Sequence, residues 1–367
     1  MPFDSGTVSY RVCQLPEPLP EDALARFSDK AAGPLEYVKE EPQWGWVSGR
    51  HLLETRIDEE TAYMGGYLHL CLRQAQRKIP PALLKAECRM AELALAAEKG
   101  NEPVNRRERK QIKQDVSDRL LPKMPPQLSG IPFVVDHNAQ QILVGATSDK
   151  QLDTFLAVFH QTFGFEPYAW TPEVYALDKV GADPNSLPEL NFSPSLPDSS
   201  AGGTMGQNFL TWLWFFLGEC NGVLPRTKLG QFSMMVEGPL LLVAVQESGA
   251  LESAIRKGMP TLSAEAKAAL MVGKKLRQAK IIVAREAAET WQTTVDADTF
   301  VFRGMKLPEG EALDPGSVFE ERLTNLQVFQ TVFFELFKYY LGEVSDPAKV
   351  TDIQTRAKAW VSGMIGK

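Results

Sequence analysis

Period-two alternation is clearest in YLHLCLRQ (67–74), where Leu68, Leu70 and Leu72 alternate with His69, Cys71 and Arg73. That spacing predicts a half-buried strand whose second face ends in a cation. Strand patterns also mark TVSYRVCQL (7–15), IPFVVD (131–136), QQILVGAT (140–147), LLLVAVQ (240–246), AKIIVARE (279–286), TWQTTVD (290–296) and TFVFRGMKL (299–307). The pair at 131–147 reads as a hairpin turning at His137–Ala139, and QWGWVSG (43–49) as an aromatic turn or strand end. Helical spacing takes over at 18–31, opened by Pro20 with Glu21 and Asp22 in the first turn. It recurs over 80–121 with a break at Gly100–Pro103, over 148–164 with Ser148 as N-cap, over 209–219, and over 263–272. A long amphipathic helix is predicted at 317–343 and a peripheral one after Asp346.

Between 171 and 207 the periodicity fades. Five prolines, four glycines and five serines crowd this stretch, which reads as a linker or long surface excursion. The organisation expected is therefore an N-terminal domain (1–170), the excursion (171–207), a second domain (208–311) and C-terminal helices (312–367). Both halves mix antiparallel strand signals with helices, so the fold class is α+β, with mixed or antiparallel sheets packed by helices.

One helical pattern is unusual in its charge. RRERKQIKQDVSDRLLPK (106–123) holds seven basic residues, with Arg106, Lys110 and Lys113 at i, i+4 and i+7 and Arg109 beside them. Ile112, Val116, Leu120 and Leu121 supply an apolar stripe expected on the other side. Two further basic runs are Arg73, Arg77, Lys78 and Lys85, and Arg256–Arg285. The latter holds Lys274, Lys275, Arg277 and Lys280 among eight cations against one acid, Glu265. A charge run is ordinarily a solvated face. Three of them in a chain of net charge −7 imply segregation of cations from an acidic exterior. Phosphate binding responds to potential within about 10 Å at moderate salt, so a local basic track is compatible with that total.

Composition limits the alternatives. At 367 residues with 44% hydrophobic and 23% charged residues, the chain has the make-up of a globular protein with a sizeable core. No apolar run approaches the ~20 residues of a membrane helix, and no secretory leader pattern opens the sequence, so the expectation is a cytoplasmic protein. Cys13, Cys71, Cys88 and Cys220 are scattered without a CxxC, and the four histidines lack ligand spacing, so neither a disulfide framework nor a protein-built metal site is expected. FLTWLWFF (209–216) could stack bases, but its 3–4 spacing and lack of cations favour core packing. Asp296 and Asp298 form a D-x-D and Asp136 ends a strand; a metal nuclease would gather such carboxylates, though acids at strand ends are ordinarily turn formers. No phosphate-binding loop or nucleophile elbow is present. No cofactor and no enzymatic activity are expected.

In order and spacing, several blocks resemble the recombination-associated protein RdgC family: VSYRV, GWV at Gly45–Val47, LCLRQAQRKIPPALLK, RRERKQIKQDVSDRLLPK, EAKAALMVGKKLRQAKIIV and TWQTTVDADTFVFRGMKL. FLTWLWF resembles a block of that family's longer branch. The resemblance implies a homodimer closed into a ring around duplex DNA, with little sequence preference, that modulates loading of a RecA-type recombinase and associates with the nucleoid. By matching positions it assigns Lys78, Lys85, Arg109, Lys113 and Lys123 to one basic surface and Lys274, Lys275 and Lys280 to a second. Met124-Pro125-Pro126 departs from the family pattern, which has a small residue and a phenylalanine at a gate contact.

The expectation is a non-enzymatic, sequence-nonspecific binder of double-stranded DNA, with single strands bound more weakly. Arg73, Arg77, Arg106, Lys110 and Arg277 join the residues above as phosphate ligands. The rivals are a metal-dependent exonuclease using Asp136, Asp296 or Asp298, and a protein-interaction scaffold whose basic faces are merely hydrated.

Overall fold

The computed structural model describes residues 2–100, 102–244, 251–286 and 289–363. Among them the elements run β1 (Val8–Gln14), α1 (Ala23–Asp29), β2 (Gln43–Ser48), α2 (Glu59–Ala62), β3 (Tyr63–Met64), β4 (Tyr67–Gln76), α3 (Pro81–Glu98), α4 (Arg106–Leu120), β5 (Gln127–Asp136), β6 (Gln141–Val144), α5 (Asp149–Phe163), β7 (Tyr168–Ala169) and α6 (Pro172–Tyr175). The second half continues with α7 (Met205–Glu219), β8 (Phe232–Val243), β9 (Glu252–Ile255), α8 (Ala264–Met271), β10 (Lys275–Arg285), β11 (Glu289–Asp296), β12 (Val301–Lys306), α9 (Pro315–Val344) and α10 (Pro347–Gly363). None of these helices is long and apolar enough to cross a membrane.

The strands form one antiparallel path, β2-β4-β5-β6-β1-β12-β11-β10-β8-β9. β1 joins the two halves: Tyr10 pairs with Phe302 of β12, while Arg11–Gln14 pair with β6. Because side chains alternate along a strand, the two faces of β1 serve different cores. Tyr10 and Val12 enter the larger core, built on Phe319, Leu323, Phe329, Phe333 and Phe337 of α9. Cys13 faces a second core in which α1 and α5 supply Phe27, Phe155 and Phe159. At about 1.5 Å per residue, the 30-residue α9 is roughly 45 Å long and ties the halves together.

The α+β class is borne out, with corrections in detail. β4 is buried on both faces, since His69, Cys71 and Arg73 are as enclosed as the leucines that alternate with them. QWGWVS is a full strand, and Ala31 bridges it in parallel at Trp46. A Cβ on Gly45 would lie 2.4 Å from the Ala32 Cα, so glycine admits the segment that covers this sheet edge. The pattern at 240–246 is the end of a longer strand from Phe232 to Val243, with residues 245–246 outside the described residues. Residues 171–207 are not a free linker: Leu190 and Phe192 lie in the main core and Asn191 and Ser193 are buried beside them. Short turns between prolines produce no periodicity, which is why the pattern understated their packing.

Candidate nucleic-acid interface

β4 and β5 are paired to their ends, Gln76 opposite Gln127, and the α3–α4 helical hairpin is inserted between them. Pro80 and Pro81 open α3, Pro81 at a first-turn position whose amide has no intrahelical acceptor. Asn105 starts α4 through a capping box: its Oδ1 accepts from the amides of Arg107 and Glu108 at 3.0 Å, and Glu108 Oε2 accepts from the Asn105 amide at 3.0 Å. Such a cap is worth about 1 kcal/mol. Ion pairs between Arg119 and Glu87 (2.6 Å) and between Lys99 and Glu108 clasp the two helices. No residue of α3 is buried, and α4 buries only Val116 and Leu120, so the pair forms a solvent-bathed arm.

This arm carries a cluster of unpaired cations. Among the described residues, Arg106, Arg107, Lys110 and Lys113 on α4 are exposed and lie within ion-pair distance of no carboxylate; Lys85 on α3, Lys78 before it and Lys123 after α4 share that state. Arg109 is exposed and 4.0 Å from Glu92. The row Arg106–Lys110–Lys113 does not oppose the apolar stripe. At 100° per residue it runs roughly 90° around the helix from Ile112, Val116 and Leu120, along one flank of the arm. Asp115 and Asp118 occupy the other flank, where Gln111 and Gln114 donate to them.

Two expected ligands at the base of the arm are structural. Arg73 is 4% exposed, and its guanidinium donates to the carbonyls of Gly33 (2.5 Å) and Leu52 (3.3 Å). Burial lowers its pKa. Arg77 donates to the carbonyls of Val38, Leu35 and Met124. Its link to Met124 fixes the turn from α4 into β5, so the Met124-Pro125-Pro126 departure sits at an anchored neck. To reach a phosphate Arg73 would have to give up two such bonds and Arg77 three.

In the Arg256–Arg285 run Arg256 and Lys257 stay exposed, but the cations from Lys267 to Lys280 do not form a basic surface. Lys275 is 3% exposed and donates to Asn208 Oδ1 (2.6 Å) and to the Gly202 carbonyl. Lys274 is also buried, against Ser253 Oγ at 2.8 Å, and Lys267 donates to the Ser362 carbonyl. Lys280 pairs with Glu237 at 2.6 Å, across the β8–β10 ladder, and Arg277 with Asp298 at 3.1 Å. The sequence count of one acid missed these partners because β8 and the Asp296–Asp298 turn supply them from outside the run.

The carboxylates are likewise committed. Asp136 Oδ1 accepts from the amides of Asn138 and Ala139, a hairpin-turn role, and Oδ2 from Gln327 of α9. Asp298 accepts from Thr204 Oγ1 and Gln207 Nε2 at the start of α7, and Asp296 from Gln278. Among the described residues no three His, Cys, Asp or Glu side chains converge as a metal would require. The aromatic block of α7 is core: Trp212 is 2% exposed and packs against Tyr340.

Likeness to known proteins falls on the part of the chain that carries the arm. Residues 11–172 match the family model RdgC, described as "Putative exonuclease, RdgC". Over 147 residues the chain is 26% identical to the recombination-associated protein RdgC of Pseudoalteromonas atlantica. That stretch is 40% of this chain and 46% of the relative, so the match spans under half of the relative's length.

Proposed function

We propose, on the similarity of residues 11–172 to the RdgC family, that the chain is a member of it and acts in recombination by binding double-stranded DNA without sequence preference through the α3–α4 arm. The observation that carries this reading is the group of seven exposed, unpaired cations on the arm and its neck in a chain of net charge −7. Lysines and arginines free of carboxylates are available to phosphates at no cost in broken ion pairs. They offer no fixed hydrogen-bond fork aimed at base edges, so binding of this kind is positional and sequence-blind. Single strands, with lower charge density, bind more weakly.

In this reading two copies close into a ring through their arms, and the duplex so occupied is less open to loading of a RecA-type recombinase. The surface for the second copy is the outer face of α3, where Met90 and Leu93 are 68% and 54% exposed beside Ala86, Ala94 and Ala97. An apolar stripe on a solvent-bathed helix is stabilised by burial against a partner. Light scattering coupled to gel filtration is expected to find a dimer for the native chain and a monomer for Met90→Asp/Leu93→Asp. A dimeric double variant would remove α3 from the interface.

The family description favours a second reading, exonuclease activity. Incubation of the pure protein with linear duplex and Mg²⁺ distinguishes the two. The binding reading expects intact DNA after hours; shortening abolished by Asp296→Asn would establish the nuclease instead.

A further inference from the structure

A second surface, away from the arm, has the features of a peptide site. A hairpin precedes β8: Leu224 pairs with Phe232 and Thr227 with Gly230, backbone to backbone, so Lys228 and Leu229 sit at a tight tip. Between this hairpin and α9 lies a groove of about 450 Å³. Its exposed apolar lining is Leu229 and the half-exposed ring of Tyr339, backed by the buried Leu224, Val332 and Leu336, with Arg226 and Lys228 on the rim. Both cations are exposed, and among the described residues neither has a carboxylate within ion-pair distance. Glu335 also lines the groove, but Lys338 holds it at 2.9 Å and cancels its charge.

We infer that this groove docks an acidic peptide segment of a partner protein, one bulky apolar side chain seated between Leu229 and Tyr339 and its flanking carboxylates on Arg226 and Lys228. Charge complementarity selects the acidic occupant: Arg226 and Lys228, exposed and among the described residues without a carboxylate in ion-pair distance, flank an apolar slot. The apolar lining selects a peptide over nucleic acid, since phosphates gain nothing from it. The hairpin's own hydrogen bonds fix the rim before binding, so little ordering entropy is lost there.

The test uses the full chain and a fluorescein-labelled synthetic peptide of four aspartates followed by leucine and phenylalanine, read by anisotropy. Saturable binding is expected, weakened roughly tenfold or more when serines replace the apolar pair and by a similar factor in Arg226→Glu/Lys228→Glu. Tyr339→Ala gives a second, smaller loss at a half-exposed position whose ring also packs on Trp212 and Phe216. Thermal unfolding of each variant serves as the folding control. Absence of binding to the native chain, or equal binding to the charge-reversed variant, overturns the inference. So does a result in which Arg226→Glu/Lys228→Glu lowers affinity for duplex DNA and leaves peptide affinity unchanged, which would make the rim a phosphate contact.

Discussion

Lys110→Glu/Lys113→Glu is expected to weaken duplex binding by roughly a hundredfold or more at 100 mM salt, with thermal stability unchanged. The two lysines are exposed on one flank of α4 and pair with no carboxylate, so reversing them breaks nothing in the fold. Each replaces an attraction to phosphate with a repulsion, and like-charge juxtaposition costs several kcal/mol. Six phosphate contacts on the native chain would weaken binding by roughly a thousandfold between 50 and 200 mM salt. The milder Lys110→Ala/Lys113→Ala should flatten the salt slope by about two. The control is Lys280→Ala, which releases Glu237 and touches no phosphate in this reading. Native affinity in the arm variant, or a loss in the Lys280 variant equal to it, would refute the assignment of DNA binding to the arm.

That contrast also marks where sequence reading succeeded. The capped helix at 106–120 and its cations were legible because a surface helix displays its pattern at fixed 100° steps and needs no partner from elsewhere. The stripe of Met90 and Leu93 on α3 was not, because an apolar residue in a helix is read as core until tertiary packing leaves it outside. Lys274 and Lys275 failed for the opposite reason. They follow an N-capped helix and open a strand buried by α7, and nothing local announces that Asn208, 67 positions earlier, accepts from the second of them. The D-x-D was placed correctly at a turn, yet its partners Thr204 and Gln207 come from the proline-rich stretch and the helix after it. Charge runs of the same density therefore ended as a free surface in one place and as a set of internal ties in another. What separates them is the company each keeps in space.

Lys275 provides the second large effect, on stability. Its ammonium is enclosed by the Gly202 carbonyl, Asn208 and the Phe192 ring, and desolvation pushes its pKa down to about 7. Glu189 and the two acceptors favour the charged form, but burial outweighs them. An unfolded lysine keeps its proton to about pH 10.4, so above pH 7 the unfolded chain binds one proton more than the native chain. Stability from this group therefore rises with pH, by up to about 1.4 kcal/mol per unit from pH 7 upward, and is flat below. Cys13 and Cys71 act in the other direction only at higher pH: burial pushes both thiols up to about 12, so ionisation in the unfolded chain draws stability away above pH 9. Between pH 6.5 and 8.5, subtracting the Lys275→Met curve removes the histidine and cysteine contributions common to both proteins and leaves the lysine. Urea unfolding is expected to show the native chain gaining on Lys275→Met through that window, with the difference widening by about 1 kcal/mol or more. Parallel curves for the two proteins would show that the buried amine does not titrate there, and that its contacts with Gly202 and Asn208 hold it fully charged.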